Sequence, residues 1–308
     1  MSALLGVEIR RILSRRVVIA AGGLVVLGLL IAGTVLFFRS HRLDSAELRI
    51  RQQQAQASVQ ESVEGCASGK FGISDEEVPP DMTLREFCEQ LVGQPPIEDP
   101  AFALVHYREV AEGLSGLFIA LVTILAASFI GAEWHAGTVT TQLTWEPRRN
   151  RVLAAKLIAT GLFAFAFFIL AEALLFGALA PAGVFRGTTH GLSAAWVRGV
   201  AGVVLRGAGA AAVAAGIAYS VASIARNTAA AVAGFFVYLA VLEPLIRAAR
   251  PQWRPWYLYD NLATFISGHT VEFSPIGRSV TGAGVLISIY TMGFVLLAMA
   301  AFWRRDVT

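Results

Sequence analysis

The sequence predicts an all-α polytopic membrane protein of six transmembrane helices. An N-terminal interfacial helix precedes them, and a small helical extracytoplasmic domain lies between spans one and two. Three observations carry this prediction. Of 308 residues, 56% are hydrophobic and only 15% are charged, a balance too apolar for an ordinary soluble domain. Six apolar runs reach the roughly 18 residues that cross a hydrocarbon core about 30 Å thick at about 1.5 Å per residue. The basic residues of the short connections also fall mostly on one side.

The runs are Val17 to Phe38, Leu114 to Ala132, Val152 to Leu179, Val200 to Ala225, Thr228 to Ile246 and Val280 to Trp303. The first follows Arg10, Arg11, Arg15 and Arg16 as a secretory signal would, but it is longer than the roughly 7–15 residues of a signal core and reads as a retained span. With six spans both termini share a side. The short segments there hold Arg10, Arg11, Arg15, Arg16, Arg148, Arg149, Arg151, Lys156, Arg226, Arg304 and Arg305, against six arginines opposite. The positive-inside rule therefore predicts cytoplasmic termini. Twenty-three arginines against two lysines, and no N-x-Ser/Thr sequon, fit a GC-rich bacterium and its cytoplasmic membrane better than a glycosylated eukaryotic surface.

Before span one, residues 1–16 carry Leu5, Ile9, Ile12 and Leu13 at helical spacing, with Glu8, Arg11 and Arg15 on the other side. This predicts an amphipathic helix lying in the inner interface, the alternative being a simple basic extension of span one. Residues 39–112 form the outer domain, with fourteen acids and seven bases, whereas the rest of the chain has eight acids and eighteen bases. An acidic outer domain thus sits on a basic membrane body. The acidity serves solubility or a cationic or protein partner, including an extracytoplasmic accessory protein. Both cysteines, Cys66 and Cys88, lie here, and a disulfide is the natural reading in an oxidising compartment, worth about 3 kcal/mol by chain entropy.

Within that domain, residues 40–62 lack Gly and Pro and are expected to continue span one as a helix. Thr83-Leu-Arg-Glu86 reads as a capping box opening a short helix that holds Cys88 and ends near Gly93 and Pro95. Ala101 to Glu112 is expected to extend span two outward. In span four, Ala208, Ala212, Gly216 and Ser220 recur every fourth residue, permitting close helix contact either within the chain or between protomers. Glu243-Pro244 predicts a kink or stop in span five. Asp260 is expected to cap a short helix from Leu262 to Ile266 that ends at Gly268 and lies on or re-enters the outer leaflet.

Ionisable groups at membrane depth are functional candidates. Glu172 in span three, Arg206 in span four and Glu243 in span five are candidates for a substrate path, with Glu172–Arg206 pairing expected. The five histidines show no metal-ligand spacing, and no G-x-S-x-G is present. Gly65-Cys-Ala-Ser-Gly69-Lys70-Phe71 looks like a phosphate loop but is one residue short, with no Ser or Thr after the lysine. The chain is thus expected to bind no cofactor or metal, to leave nucleic acid alone and to hydrolyse no ATP itself.

The stretch from Gly131 to Lys156 is the most informative. Span two ends in Gly131-Ala-Glu133-Trp134-His135-Ala-Gly137-Thr138. Gly137 can break the helix and Thr138 can cap a short one through Leu143, stopping before Pro147. Arg148, Arg149 and Arg151 then lead into span three, with Lys156 at its inner end. Gly131, Glu133, Gly137, Thr138, Leu143, Thr144, Pro147, Arg151 and Lys156 together resemble the coupling segment in membrane subunits of ATP-binding-cassette (ABC) exporters of the type-2 permease superfamily. The six spans and the interfacial first helix agree.

The resemblance implies a transporter of two membrane subunits, identical or related, and two cytoplasmic ATPases that bind Mg-ATP. It also implies that Glu133, Trp134, Gly137 and Thr138 form a coupling helix, with Pro147, Arg148, Arg151 and Lys156 flanking it. Membrane lipid surrounds the subunit in every reading. The alternatives are a secondary transporter driven by an ion gradient, and a membrane-anchored sensor or assembly factor that uses the acidic outer domain.

Overall fold

A computed structural model describes residues 2–68, 70, 78–79, 82–93, 100–145, 148–269 and 277–304. They form twelve α-helices: α1 (Ser2–Leu13), α2 (Arg16–Arg39), α3 (Ser45–Ala67), α4 (Leu84–Val92), α5 (Tyr107–His135), α6 (Thr138–Trp145), α7 (Arg149–Pro181), α8 (Ala194–Ala225), α9 (Thr228–Val237), α10 (Glu243–Ala249), α11 (Leu258–Ser267) and α12 (Val280–Arg304). Six stretches are long and apolar enough to cross a membrane: Arg16–Arg39, Leu104–His135, Asn150–Arg186, Ala194–Ala225, Thr228–Ala249 and Val280–Arg304. The protein is therefore read as a multi-pass membrane protein. Among the described residues the sole β feature is an isolated bridge, Ala103 to Thr188.

Span four, α8, is the hub, packing against α5, α7, α9, α11 and α12. Half of its apolar window is buried, against 11% for span five. The cause is its small side chains: Ala208, Ala211, Ala214 and Ala215 are fully covered, and at Gly207 the ring of Phe168 occupies the place a Cβ would take. Small faces let backbones approach closely. The stripe of Ala208, Gly216 and Ser220 is buried in this packing, and Gly216 faces Thr291 of α12, whose Cγ2 would lie 3.1 Å from an added Cβ. Internal packing uses these three positions, and Ala212, the fourth of the stripe, is half-buried.

Span three covers 37 residues, about 55 Å at about 1.5 Å per residue, so it projects beyond a hydrocarbon core or tilts strongly within it. It closes in a π-helical turn, Ala182–Arg186.

Several local expectations are corrected. Span one stops at Arg39 and does not run on into the outer segment; a new helix, α3, begins after Asp44, whose carboxylate accepts the N–H groups of Ala46 and Glu47. That N-cap satisfies backbone donors and makes a break at residues 40–44 cheap. The extension before span two is also partial. Leu104–His106 is a 3₁₀ turn, and the strand-like residues before it exchange hydrogen bonds with Thr188, from Leu104 N at 2.9 Å and to Phe102 O at 3.1 Å.

Of the kink or stop expected at Glu243-Pro244, the stop does not occur. A π-helical turn, Tyr238–Leu242, precedes it and α10 continues, since proline in the first turn of a segment needs no donor. Asp260 lies inside the first turn of α11 and caps nothing; its carboxylate meets Arg247 at 2.8 Å. The end of α11 at Gly268 is as expected, with φ +77°.

Between spans one and two, α3 and α4 pack against each other, their small core built on Val63, Cys66 and Cys88. Cys66 and Cys88 form the expected disulfide. The capping box is present in full, with Thr83 Oγ1 accepting from Glu86 N and the Glu86 carboxylate accepting from Thr83 N. Pro95 and Gly69 lie outside the described residues.

Candidate functional site

The elbow between spans two and three is built from the end of α5 onward. Gly131 meets the start of α9 so closely that an added Cβ would stand 2.8 Å from Thr228 N; only glycine allows that approach. Two residues later Glu133 is buried, 7% exposed. The helix ends at Ala136, Gly137 turns the chain with φ +66°, and α6 follows at once. Thr138 does not cap it from outside, as expected, but is its first residue, and its hydroxyl donates to Glu133 O at 3.3 Å.

Around Glu133 lies a buried ion cluster. Lys156 Nζ, on the first turns of α7, donates to Glu133 Oε2 at 2.7 Å and to Glu8 Oε1 at 2.9 Å. Arg15 reaches Glu133 Oε1 at 2.9 Å, and Arg11 stands 3.6 Å from Glu133 and 3.8 Å from Glu8. Gln142 of α6 donates to Glu8 at 2.9 Å. Glu8 and Lys156 are 3% and 4% exposed, so the charges are sustained by one another and not by water. Burial pushes the Glu8 carboxyl up, but Lys156, Gln142 and Arg11 outweigh it and hold the group below its usual range.

Part of the polar side of α1 docks: Glu8 is buried against the elbow, and Arg11, whose side chain is 41% exposed, stands at the rim, while Ile12 with Leu5 and Ile9 packs against Leu125, Phe129 and Ala159. The cluster unites α1, α5, α6 and α7 in one place. Glu8, Arg11, Arg15 and Gln142 were missed as site residues, although their helical spacing placed the first three on one face. No spacing rule links those three to Glu133 and Lys156, more than a hundred positions away.

Beside the cluster, the ring of Trp134 lies under the guanidinium of Arg226, 4.4 Å away, and edge-on to Phe302, with centroids 5.9 Å apart. Arg226 sits in the turn between α8 and α9 and Phe302 near the end of α12. Arg148 and Arg151 are exposed on the outer side of the elbow, as are Thr138, Thr141 and Thr144 of α6. Pro147 lies outside the described residues.

The three path candidates stand apart. Glu172 is 1% exposed, and the Tyr107 hydroxyl donates to its backbone carbonyl at 2.9 Å and contacts Oε2 at 3.2 Å. The expected Glu172–Arg206 pair is not formed. Arg206 instead donates to the carbonyls of Ile266 at 3.1 Å and Ser267 at 3.3 Å, the negative end of α11, where a cation is favoured. Arg108 donates to the same Ser267 carbonyl at 3.1 Å. Glu243 accepts from Tyr259 N at 2.9 Å and lies 3.5 Å from Arg247. Among the described residues no group of three or more His, Cys, Asp or Glu could hold a metal ion.

Comparison with protein-family models finds none that matches this chain, and a search of curated proteins finds no matching relative.

Proposed function

We propose that this chain is the membrane subunit of an ATP-driven exporter of the type-2 ABC kind, one of two permease subunits served by separate cytoplasmic ATPases that bind Mg-ATP. The observation that carries the reading is α6: a short helix with exposed hydroxyls, hinged at Gly137, bracketed by exposed arginines and backed by a buried ion cluster. An exposed helix on a stiff charged base is a lever. A free-energy change on a soluble partner can reach the spans through it only if helix and spans move together, and the cluster supplies that linkage. The motif from Gly131 to Lys156 supports the same reading.

On this reading the termini are cytoplasmic, α1 lies at the inner interface, and the disulfide-clipped hairpin of α3 and α4 is extracytoplasmic. Glu133 then transmits motion from within, while α6, Arg148 and Arg151 meet the ATPase.

The test is purification of the tagged chain from its native membranes in mild detergent, with identification of co-eluting proteins and an ATP-hydrolysis assay. A stoichiometric ATPase, lost from the chain when Arg148 and Arg151 are both changed to Glu, is the expected result. A folded preparation that never carries an ATPase would move the assignment to a gradient-driven transporter or a sensor.

A further inference from the structure

Span five carries a polar feature that the elbow does not use, a pocket of about 390 Å³ at the end of the span opposite the elbow. Leu239, Pro244 and Ala248 give it an apolar lining, and Glu243, Arg247, Arg254 and Tyr259 a polar one. That volume lies within the roughly 300–1,000 Å³ of small-molecule sites.

The charges here do not all close on one another. Arg247 is committed to the fully buried Asp260 at 2.8 Å and stands 3.5 Å from Glu243. Glu243, 1% exposed, takes the Tyr259 N–H on Oε1 at 2.9 Å, and its Oε2 has no donor among the described residues. The Tyr238 hydroxyl lies nearby, outside hydrogen-bond geometry. Arg254 is the counterpart: its Nε is buried without an acceptor among the described residues. Two unmade bonds of opposite kind, an acceptor on an anion and a donor on a cation, thus belong to one pocket, and leaving either unmade is costly. An anion would serve only Arg254 and a simple cation only Glu243. A zwitterion serves both and leaves the local charge unchanged.

The surroundings say which zwitterion. Trp253, Trp256 and Tyr259, beside Arg254, are all more than half exposed, as aromatic side chains at the headgroup layer are. Leu242 and Leu245, flanking Glu243 and Pro244, are exposed as well and offer an apolar surface to acyl chains. We propose that this pocket binds a headgroup carrying a primary ammonium beside a phosphate, that of an ethanolamine phospholipid, with the ammonium donating to Glu243 Oε2 and the phosphate accepting from Arg254. A choline headgroup carries the same charges but no N–H, so it cannot fill the open acceptor. The site rests on the chain's being a membrane protein and not on the exporter reading.

The experiment is native mass spectrometry of the full chain released from detergent micelles, titrated with dioleoyl phosphatidylethanolamine, with dioleoyl phosphatidylcholine, and with free phosphoethanolamine as competitor. One ethanolamine lipid is expected at saturation, the choline lipid binding about tenfold more weakly because one charged acceptor stays open, and free phosphoethanolamine displacing the lipid only in large excess. Glu243→Gln keeps an oxygen for the Tyr259 N–H and is expected to bring the two lipids to equal affinity, whereas Arg254→Gln is expected to weaken both and keep their ratio. Ala248→Phe, at an exposed position, fills the pocket and is expected to abolish binding at unchanged melting temperature. Equal retention of the two lipids by the unmodified chain, as a water-filled pocket or a loosely held surface lipid would give, overturns the site, and so does undiminished ethanolamine-lipid binding in Ala248→Phe. Displacement by phosphoethanolamine at equal concentration overturns the lipid and makes the pocket a site for the soluble zwitterion. None of these results touches the exporter reading, which the ATPase co-purification decides.

Discussion

At the scale of single residues, Lys156 decides whether the elbow is stable. Among the described residues it is the one cation that touches both Glu8 and Glu133 within 3 Å, at 2.9 and 2.7 Å. Lys156→Met keeps the volume and removes the charge, leaving two buried carboxylates to Arg11 and Arg15. Breaking a buried pair by deleting one partner costs about 3 kcal/mol or more, and a corresponding drop in the detergent melting temperature is expected, partly reversed by adding Glu8→Gln. A loss below about 0.5 kcal/mol would put the cluster among ordinary surface pairs.

Glu8 adds a pH signature. Its folded pKa is depressed below 4.5, so the stabilisation it brings is fully present above that value and is lost as pH falls through the lower folded value. The difference in melting temperature between the unmodified chain and Glu8→Gln should therefore be constant from neutral pH down to about 5 and shrink in more acid buffer. A difference that grows on acidification would mean the carboxyl is taken up protonated.

Among the helices, the hairpin of α3 and α4 is held by little besides itself. Its core is Val63, Cys66 and Cys88 with Val59, Leu84 and Val92 around it, and α4 has only nine residues, too few to persist alone. The disulfide supplies about 3 kcal/mol by loop entropy, comparable to all that so small a core can contribute. Cys66→Ser with Cys88→Ser is expected to open the hairpin to protease while the membrane body melts as before. Joint loss of both would show that the hairpin braces the spans.

How far these elements were legible follows from the range of the interaction that makes each one. Apolar runs and the Thr83–Glu86 capping box are local, so all six spans and the start of α4 could be read from the sequence, as could the turn at Gly137. The break at residues 40–44 was missed because Asp44 was not weighed as a cap. The burial of Glu8 was not legible, because amphipathicity says which residues avoid lipid, not whether water or a second polar surface receives them. The Glu172–Arg206 expectation failed for a related reason: opposite charges at similar depth do not reveal which way each helix is turned.

Across the whole molecule, the elbow touches nearly every span from one small region. Gly131 abuts the start of span five, Glu133 holds α1 and span three, and Trp134 lies against Arg226 in the turn between spans four and five and Phe302 of span six. On the exporter reading, docking and transmission therefore fall on different residues. Arg148 and Arg151 are exposed and suited to meeting a partner, whereas Trp134 is partly buried and faces the spans. With an ATPase bound, Trp134→Ala should preserve association, because the exposed surface of α6 is untouched, yet weaken the dependence of ATP hydrolysis on transport, because the contacts to Arg226 and Phe302 that couple the elbow to spans four to six are gone. Arg148→Glu with Arg151→Glu should do the reverse, losing the partner while the isolated chain keeps its melting temperature. If Trp134→Ala instead released the ATPase as completely as the double reversal does, Trp134 would belong to the docking surface, and transmission would rest on Glu133 and Lys156 alone.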